Sequence, residues 1–246
     1  MPDTLVVNEI YLSLQGESTF AGLPCVFVRL TACTLRCSYC DTAYAFAEGR
    51  KQSLAEVRAE VLRLAAPFVL HPSSLPVPLP LVELTGGEPL LQMNSLPLMR
   101  ALCDEGFTVL LETSGALDIS PVDRRVRRIM DLKCPSSGEA GRNRWENLAC
   151  LGSADEIKFV IGTVEDYQWA RAAVLERHLA GICPLLFSWV HPLAPEQAHP
   201  SLKAVPPGHT PLGRAELAER IIADALPVRL QVQLHKILWP AQHRGV

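Results

Sequence analysis

Apolar positions along the chain follow two alternating spacings. Short apolar runs have the length of buried strands, and they predict strands at 26–30, 81–84, 107–111, 126–132, 157–161, 185–190 and 228–232. Elsewhere apolar residues recur at helical spacing, which predicts helices at about 54–64, 91–103, 164–179 and 214–225. The repeated β-then-α order predicts an α/β fold in which a parallel sheet is covered by helices.

Two proline-rich stretches interrupt this order. Residues 67–80 contain five prolines and residues 191–211 contain six. Because proline lacks a backbone N–H and has a fixed φ, we expect both stretches to be surface loops or insertions. The sequence shows no charge-block linker and no internal repeat, so we predict a single domain over residues 1–246 with insertions near 67–80 and 191–211.

Net charge narrows the range of partners. The 246 residues include 23 Lys and Arg against 26 Asp and Glu, a formal charge of −3. Such a balance provides no general positive field for nucleic acid or an anionic membrane, so we expect neither as a partner. Residues 1–10 lack a basic start followed by an apolar run, and no apolar stretch is long enough to cross a bilayer. We therefore expect a cytoplasmic protein.

Cysteine spacing suggests metal chemistry. Three of the eight cysteines, Cys33, Cys37 and Cys40, form a C-x3-C-x2-C motif just after a predicted strand. Three thiolates can hold three corners of a cubane iron–sulfur cluster and leave the fourth iron open to a ligand. The alternative is zinc, which needs a fourth ligand from a distant Cys or His, and the sequence has no second C-x2-C and no H-x3-H motif.

Other unusual residues also follow predicted strands. Gly86-Gly87-Glu88-Pro89 follows Leu84, Thr113-Ser114-Gly115 follows Leu111, and Lys133-Cys134-Pro135 follows Leu132. In parallel α/β folds, ligands bind beyond the carboxyl ends of the strands. We therefore expect these segments and the cysteine loop to surround one site.

The cysteine loop and residues 85–89 together resemble the radical S-adenosylmethionine superfamily. Members of that superfamily carry C-x3-C-x2-C with an aromatic residue before the last cysteine, as Tyr39 stands here, and a GGEP motif. The resemblance implies a modified, incomplete (βα) barrel that is open on one side. It also implies a [4Fe–4S] cluster whose open iron binds S-adenosylmethionine, so that reductive cleavage yields a radical that abstracts hydrogen from a substrate.

A wider resemblance is to the 7-carboxy-7-deazaguanine synthase family of the 7-deazapurine and queuosine pathway. It rests on segments 9–17, 27–42, 112–115, 131–138 and 230–236. The resemblance implies a carbon–nitrogen lyase that converts 6-carboxy-5,6,7,8-tetrahydropterin to 7-carboxy-7-deazaguanine with loss of ammonia. It further implies a magnesium ion, a homodimer and an electron donor such as flavodoxin or ferredoxin.

The same resemblance implies roles for individual residues. Glu112 and Arg29 are the expected catalytic residues. Substrate contacts are expected from Leu14, Gln15, Gly16, Glu17, Arg29, Thr85, Glu112 and His235. Contacts to S-adenosylmethionine are expected from Tyr39, Gly87, Glu88, Ser114, Lys133, Ser136 and Ser188. Cys33, Cys37 and Cys40 would bind the cluster, and Thr42, with Asp41 as the weaker candidate, would bind magnesium.

Three positions depart from the family pattern. Ser18 stands where the family usually has glycine, Ser114 where asparagine is common, and Trp189 where proline often follows Phe-Ser. Two other functions remain open at this point. One is a glycyl-radical activating enzyme, which shares the cysteine spacing, and the other is a non-catalytic zinc-binding protein.

Overall fold

Nine strands form one sheet in the part of the chain that the computed structural model describes, residues 3–69, 75, 77–240 and 243–245. The strands are β1 (Thr4–Leu14), β2 (Pro24–Leu30), β3 (Arg50–Ser53), β4 (Leu81–Gly86), β5 (Val109–Thr113), β6 (Arg127–Asp131), β7 (Glu156–Ile161), β8 (Leu185–Trp189) and β9 (Arg229–Gln231). Their order is β3-β1-β2-β4-β5-β6-β7-β8-β9. From β2 to β9 all neighbours are parallel, whereas β1 is antiparallel to both β2 and β3.

The parallel part of the sheet confirms the predicted α/β fold. Each of its seven strands overlaps a predicted one, and β9 pairs with β8 alone, so the sheet is open at that edge. The antiparallel strands β1 and β3 were not predicted. Strand β3 has the sequence RKQS without an apolar residue, so no hydrophobic pattern marks it, and it is held by backbone pairing with β1.

Five helices accompany the strands within these residues: α1 (Leu54–Val69), α2 (Ser95–Asp104), α3 (Val164–Glu176), α4 (Arg214–Ala223) and α5 (His235–Leu238). Helix α3 begins at a capping box in which Thr163 and Asp166 bond each other's backbone N–H groups. Helix α2 begins four residues later than predicted, because Pro89–Leu91 forms a short 3-10 turn first.

The two proline-rich stretches differ from each other. Pro67 lies inside α1, so the expectation that it belongs to a loop is wrong, and residues 70–74 and 76 of that stretch lie outside the described residues. Residues 191–211 contain one 3-10 turn, Pro195–Gln197, and a single bridge between Pro211 and Thr163. A backbone bond also joins this stretch to the cysteine loop, since Lys203 N donates to Arg36 O at 2.9 Å.

The two faces of the sheet have different surroundings. The outer face packs against the helices in one large apolar core that includes Leu84, Leu111, Phe159 and Phe187. The opposite, inner face carries a smaller apolar cluster of Cys25, Phe27, Leu81, Leu110 and Ile129. Successive side chains of a strand alternate between faces, so each strand contributes to both environments. Polar side chains lie on the remaining part of the inner face.

Helix length and hydropathy bear on membrane insertion. Among the residues that the structure describes, no helix is both long and apolar enough to cross a bilayer.

Candidate functional site

A cavity of about 910 Å³ lies on the inner face of the sheet and extends to the cysteine loop. Its volume is near the upper end of the range for ligand pockets, roughly 300–1,000 Å³, so it has room for more than one small ligand. Most of the predicted site residues line it, namely Leu14, Gln15, Gly16, Glu17, Arg29, Cys33, Cys37, Tyr39, Cys40, Asp41, Thr42, Thr85, Gly87, Glu112, Ser114, Lys133 and His235.

The cysteine loop connects β2 to a 3-10 turn at Ala43–Phe46 and is anchored by its backbone N–H groups. Ser38 N donates to Ser137 O at 3.1 Å, and Arg36 N donates to Glu139 Oε1 at 2.7 Å. Burial raises the pKa of Cys37 to about 12, so this thiol is neutral until a cation is bound. Ligation to a metal centre removes the proton outright.

The placement of the cysteines bears on the two metal sites that the sequence allows. Within the described residues, no three side chains of the types His, Cys, Asp or Glu are placed to hold a single metal ion. A structural zinc site needs four such ligands on one ion, whereas a cubane binds each cysteine at a different corner. Cys33, Cys37 and Cys40 all line the same cavity.

The Gly-Gly-Glu-Pro turn packs directly against the cysteine loop. Gly86 has a φ of +127°, and a Cβ there would lie 2.2 Å from Leu30 O. A Cβ on Gly87 would lie 1.9 Å from Ala32 O. Both glycines are required because any side chain would push this turn away from the backbone of the cysteine loop.

Glu88 does not line the cavity, although its neighbour Gly87 does. Its buried carboxylate accepts hydrogen bonds from Thr113 Oγ1 at 2.9 Å, Ser114 N at 2.8 Å and Ser114 Oγ at 2.6 Å. These bonds join the end of β4 to the end of β5. In this structure Glu88 orders the wall of the cavity.

Ser136 and Ser188 are also absent from the cavity wall. The backbone N and Oγ of Ser136 donate to Asp166 at 2.8 and 2.6 Å, which ties the segment after β6 to the start of α3. Ser188 is buried within β8, opposite Val160 of β7. The contacts of Ser136 and Ser188 to S-adenosylmethionine stay predictions.

Opposite charges converge on the inner face around Lys158 of β7. Its Nζ lies 2.9 Å from Glu17 Oε2 and 3.9 Å from Asp131 Oδ2, and it also contacts Glu112 Oε1. Burial alone would raise the pKa of Glu17, but the charges of Lys158 and His235 lower it to about 2. Lys133 Nζ lies 2.7 Å from Asp131 Oδ2.

Neighbouring neutral groups complete this polar layer. Gln15 Nε2 donates to Glu83 Oε2, and Thr85 Oγ1 donates to Glu112 Oε2 at 3.2 Å. Burial, followed by the nearby charge of Glu112, raises the pKa of Glu83 well above its usual value. Glu83 therefore keeps its proton to higher pH than an ordinary glutamate does, in contrast to Glu17 in the same cavity.

Arg29 lines the cavity with its side chain only 13% exposed, which argues against a surface ion pair. Its Nε donates to Glu9 Oε1 at 2.8 Å and its Nη2 donates to Tyr11 Oη at 2.8 Å. Both partners belong to β1, so the unpredicted antiparallel strand orients this guanidinium. The planar fork of arginine suits a carboxylate ligand.

The loop between β1 and β2 contributes Gly16 and Glu17 to the cavity wall. Thr19 N donates to Glu156 Oε1 and Oε2, both at 3.1 Å, which ties the loop to the start of β7. A Cβ on Gly16 would lie 2.2 Å from His235 Nδ1, so glycine allows His235 to approach the loop. Ser18 has a φ of +63°, which explains why glycine suits this position.

The two magnesium candidates differ in their surroundings. The Oδ2 of Asp41 lies 2.5 Å from Lys236 Nζ, so this carboxylate already has a cationic partner. Thr42 Oγ1 lies 3.7 Å from Cys40 Sγ. The hydroxyl of Thr42 is a hard oxygen of the kind that Mg²⁺ binds, and Mg²⁺ keeps several waters or substrate oxygens in its shell.

Sequence reasoning missed Lys158 and Glu83 as cavity residues. Both sit within apolar strand runs, at 157–161 and 81–84. A charged residue in a fully buried strand is costly unless it is paired, and that cost is the signal which identifies such positions.

Comparisons with known proteins agree with this arrangement. The profile of the Radical SAM superfamily matches residues 28–137. Among curated relatives, 7-carboxy-7-deazaguanine synthase of Koribacter versatilis is 44% identical over 98% of this chain and 99% of its own. The same-named protein of Chlorobaculum tepidum is 40% identical over 98% and 97%.

Solved structures add a comparison of the fold. QueE from Escherichia coli is 22% identical, with a TM-score of 0.65 over 94% of this chain and 95% of its own. Streptococcus suis SuiB bound to S-adenosylmethionine is 14% identical, with a TM-score of 0.51 over 82% and 48%. At these identities the likeness concerns the fold alone.

Proposed function

Because the chain belongs to the 7-carboxy-7-deazaguanine synthase family of the Radical SAM superfamily, we propose that it converts 6-carboxy-5,6,7,8-tetrahydropterin to 7-carboxy-7-deazaguanine with loss of ammonia. One observation carries the proposal from the structural side. Cys33, Cys37 and Cys40 line the same cavity as the charged inner face, so a radical source and an anionic heterocycle can occupy neighbouring space.

The cofactors of this family are a [4Fe–4S] cluster, S-adenosylmethionine and Mg²⁺. The three cysteines would hold the cluster, and Thr42, with Asp41 as the weaker candidate, would hold Mg²⁺. When bound, the cluster supplies the electron that cleaves S-adenosylmethionine into the radical that abstracts hydrogen from the substrate. The protein contributes binding, orientation and exclusion of water.

The inner face suits the pterin. Carboxylates accept only, so Glu17 and Glu112 match the N–H groups of the heterocycle, and the Gln15 amide can both donate and accept. Thr85 and His235 extend this surface, with Leu14 and Gly16 providing loop contacts. Arg29 would pair with the substrate carboxylate through its fork, held in orientation by Glu9 and Tyr11.

The opposite part of the cavity suits S-adenosylmethionine. Tyr39, Gly87, Ser114 and Lys133 line it near the cysteine loop. We propose that Glu88, Ser136 and Ser188 support this region from behind, through the bonds from Ser114 to Glu88 and from Ser136 to Asp166. Their contribution is then to hold cavity residues in place rather than to touch the ligand.

The test is anaerobic reconstitution with iron and sulfide, followed by incubation with S-adenosylmethionine, a reductant, Mg²⁺ and the carboxytetrahydropterin. We expect mass spectrometry to detect the deazaguanine acid in multiple turnovers. Formation of 5'-deoxyadenosine without the deazaguanine acid would keep the superfamily chemistry but reject this substrate. One zinc per chain with no iron or sulfide would reject both.

Replacing Cys37 separates cluster chemistry from fold. We expect Cys37→Ala to abolish both the product and 5'-deoxyadenosine, because two cysteines do not retain a catalytic cluster. The matched control is Cys183→Ala, a buried cysteine of the outer core. Turnover by Cys37→Ala at the wild-type rate would contradict the assigned ligand.

The remaining proposals concern the setting of the reaction. The activity requires a reductant, for which a flavodoxin or ferredoxin is proposed, and we propose a homodimer in the cytoplasm. The eight free thiols support a reducing compartment. The one sheet that extends from residue 4 to residue 231 supports a single domain.

A further inference from the structure

Lys158 is the cation on which the polar layer of the inner face converges. Its Nζ contacts Glu17 from the loop after β1, Glu112 from β5 and Asp131 from β6, and its side chain is only 4% exposed. Replacing a buried ion pair by apolar residues is often neutral or stabilising. Fold stability therefore does not explain a lysine at this position of β7.

The contacts of Glu17 and Glu112 follow a shared pattern. Glu17 places Oε2 on Lys158 and Oε1 2.9 Å from Gln233 Nε2. Glu112 places Oε1 on Lys158 and Oε2 3.2 Å from Thr85 Oγ1. Each carboxylate thus has one charged and one neutral donor, which fixes its plane, and each lines the cavity.

We propose that Lys158 is a positioning residue that holds the carboxylates of Glu17 and Glu112 in one orientation, so that both accept hydrogen bonds from the N–H groups of the substrate. This inference rests on the proposed function, because it takes the pterin as the ligand. Lys158 itself does not react. By holding the two side chains, it presents carboxylate oxygens to the cavity, which selects a ligand edge that donates.

Glu83 shows what happens to a cavity carboxyl that lacks contact with the ammonium. It is 2% exposed, and its hydrogen-bond donor is the neutral Gln15. Burial and the charge of Glu112 raise the pKa of Glu83, whereas Lys158 and His235 overcome burial and lower the pKa of Glu17. Contact with Lys158 therefore offsets the burial of the Glu17 carboxylate.

The test compares Lys158→Met, which keeps the length of the stem and removes the charge, with Lys158→Arg, which keeps the charge but moves its position. The matched control is Arg63→Met on the exposed surface of α1, where Arg63 pairs with Glu60. Reconstituted variants are assayed for kcat and KM of the carboxytetrahydropterin, for substrate-free formation of 5'-deoxyadenosine, and for thermal unfolding.

We expect Lys158→Met to raise KM by about 30-fold or more, since hydrogen bonds to charged acceptors are the strong ones. Substrate-free 5'-deoxyadenosine formation should stay within about twofold of wild type, because the lysine does not serve the cluster. Lys158→Arg should raise KM by only about 3- to 10-fold, because the charge remains. Arg63→Met should match wild type in every assay.

A pH series adds a readout that a purely structural role would not change. In Lys158→Met, KM should fall as pH rises, because removing the Lys158 charge leaves burial to raise the pKa of Glu17; wild-type KM should be flat over the same range. The titratable and charged groups that surround Lys158 are Glu17, Glu83, Glu112, Asp131, Lys133 and His235.

The outcomes separate the two proposals. Wild-type protein that cleaves S-adenosylmethionine but forms no deazaguanine acid overturns the proposed substrate, and the role of Lys158 with it. Active wild type with unchanged KM in Lys158→Met overturns the role of Lys158 alone. Parallel loss of 5'-deoxyadenosine formation also overturns it. If Lys158→Met fails to fold, a wild-type KM in Lys158→Arg overturns the role.

Discussion

The two faces of the central sheet are made by the same strands but differ in character: one is apolar and covered by helices, and the other is charged and lines a cavity. On the outer face, Leu84, Leu111 and Phe159 are fully buried among helices. On the inner face, their strand neighbours Glu83, Glu112 and Lys158 meet across a cavity. Alternation along each strand places an apolar residue and a charged residue side by side in sequence and on opposite sides of the sheet.

This difference separates stability from chemistry within single strands. Apolar burial on the outer face contributes the larger share of folding free energy, because it scales with the area removed from water. The inner face contains charges whose desolvation is offset mainly by one another. Changes on the outer face should therefore act on unfolding, and changes on the inner face should act on turnover.

The largest expected effect is on the outer face. Phe159→Ala should lower the free energy of unfolding by about 3–5 kcal/mol, because it leaves a cavity between Phe187 and Trp169. Urea denaturation measures the change. The control is Val160→Ala, the next residue and a cavity-lining one, which should cost less than about 1.5 kcal/mol. Equal losses would remove the distinction between the faces.

A substitution on the inner face that hardly changes side-chain volume should affect catalysis rather than stability. Glu112→Gln should reduce kcat by about 100-fold, because it replaces the carboxylate that is proposed to accept from the substrate by a neutral amide. Unfolding should change by less than about 1 kcal/mol, since Lys158 keeps Glu17 and Asp131 as partners. Steady-state kinetics and urea denaturation are measured together. Lost stability with unchanged kcat would assign Glu112 to the fold instead.

Arg29 sharpens the comparison at the edge of the cavity. Arg29→Lys should raise KM about 10-fold with a smaller change in kcat, because an ammonium cannot replace the planar fork. The control is Arg58→Lys, in which Arg58 of α1 pairs with Glu105 away from the cavity. Identical KM values for Arg29→Lys and wild type would show that the fork does not bind the substrate carboxylate.

The smallest expected effect concerns Glu83 and depends on pH. The pKa of Glu83 is raised in the folded state, so the folded protein keeps a proton on this carboxyl that the unfolded chain releases. The folded protein therefore loses stability as pH rises above the pKa that Glu83 has in the unfolded chain. Glu83→Gln removes this loss. We expect the variant to unfold at a higher temperature than wild type at pH 8, with the difference shrinking toward pH 4, as followed by circular dichroism. A difference in unfolding temperature that does not depend on pH would contradict the raised pKa of Glu83.

Much of the fold was predictable from local patterns. The apolar runs identified the parallel strands, and Cys33, Cys37 and Cys40 identified a loop that lines the cavity and is proposed to hold the cluster. Strands β1 and β3 were not predicted. Strand β3 is polar and is held by pairing with β1, so no apolar pattern marks it. That omission also hid Glu9 and Tyr11, the partners of Arg29.

Side-chain direction was harder to predict than position. Glu88 was expected to face a ligand, but the donors Thr113 and Ser114 lie close enough to bind its carboxylate. Ser136 likewise turns toward Asp166, the capping residue of α3. In both cases a neighbouring element provides a buried hydrogen-bond partner. Because buried polar groups are nearly always hydrogen-bonded, each side chain bonds to that partner.

Local order along the chain, the β-then-α alternation and the spacing of the cysteines follow from the sequence, because they depend on residues close to one another. The meeting of Lys158 with Glu17, 141 residues away, was decided only by tertiary structure. Strand order and register bring such residues together, and the surroundings then set each pKa. Burial would raise the pKa of Glu17, but Lys158 and His235 lower it, whereas burial and the charge of Glu112 raise the pKa of Glu83.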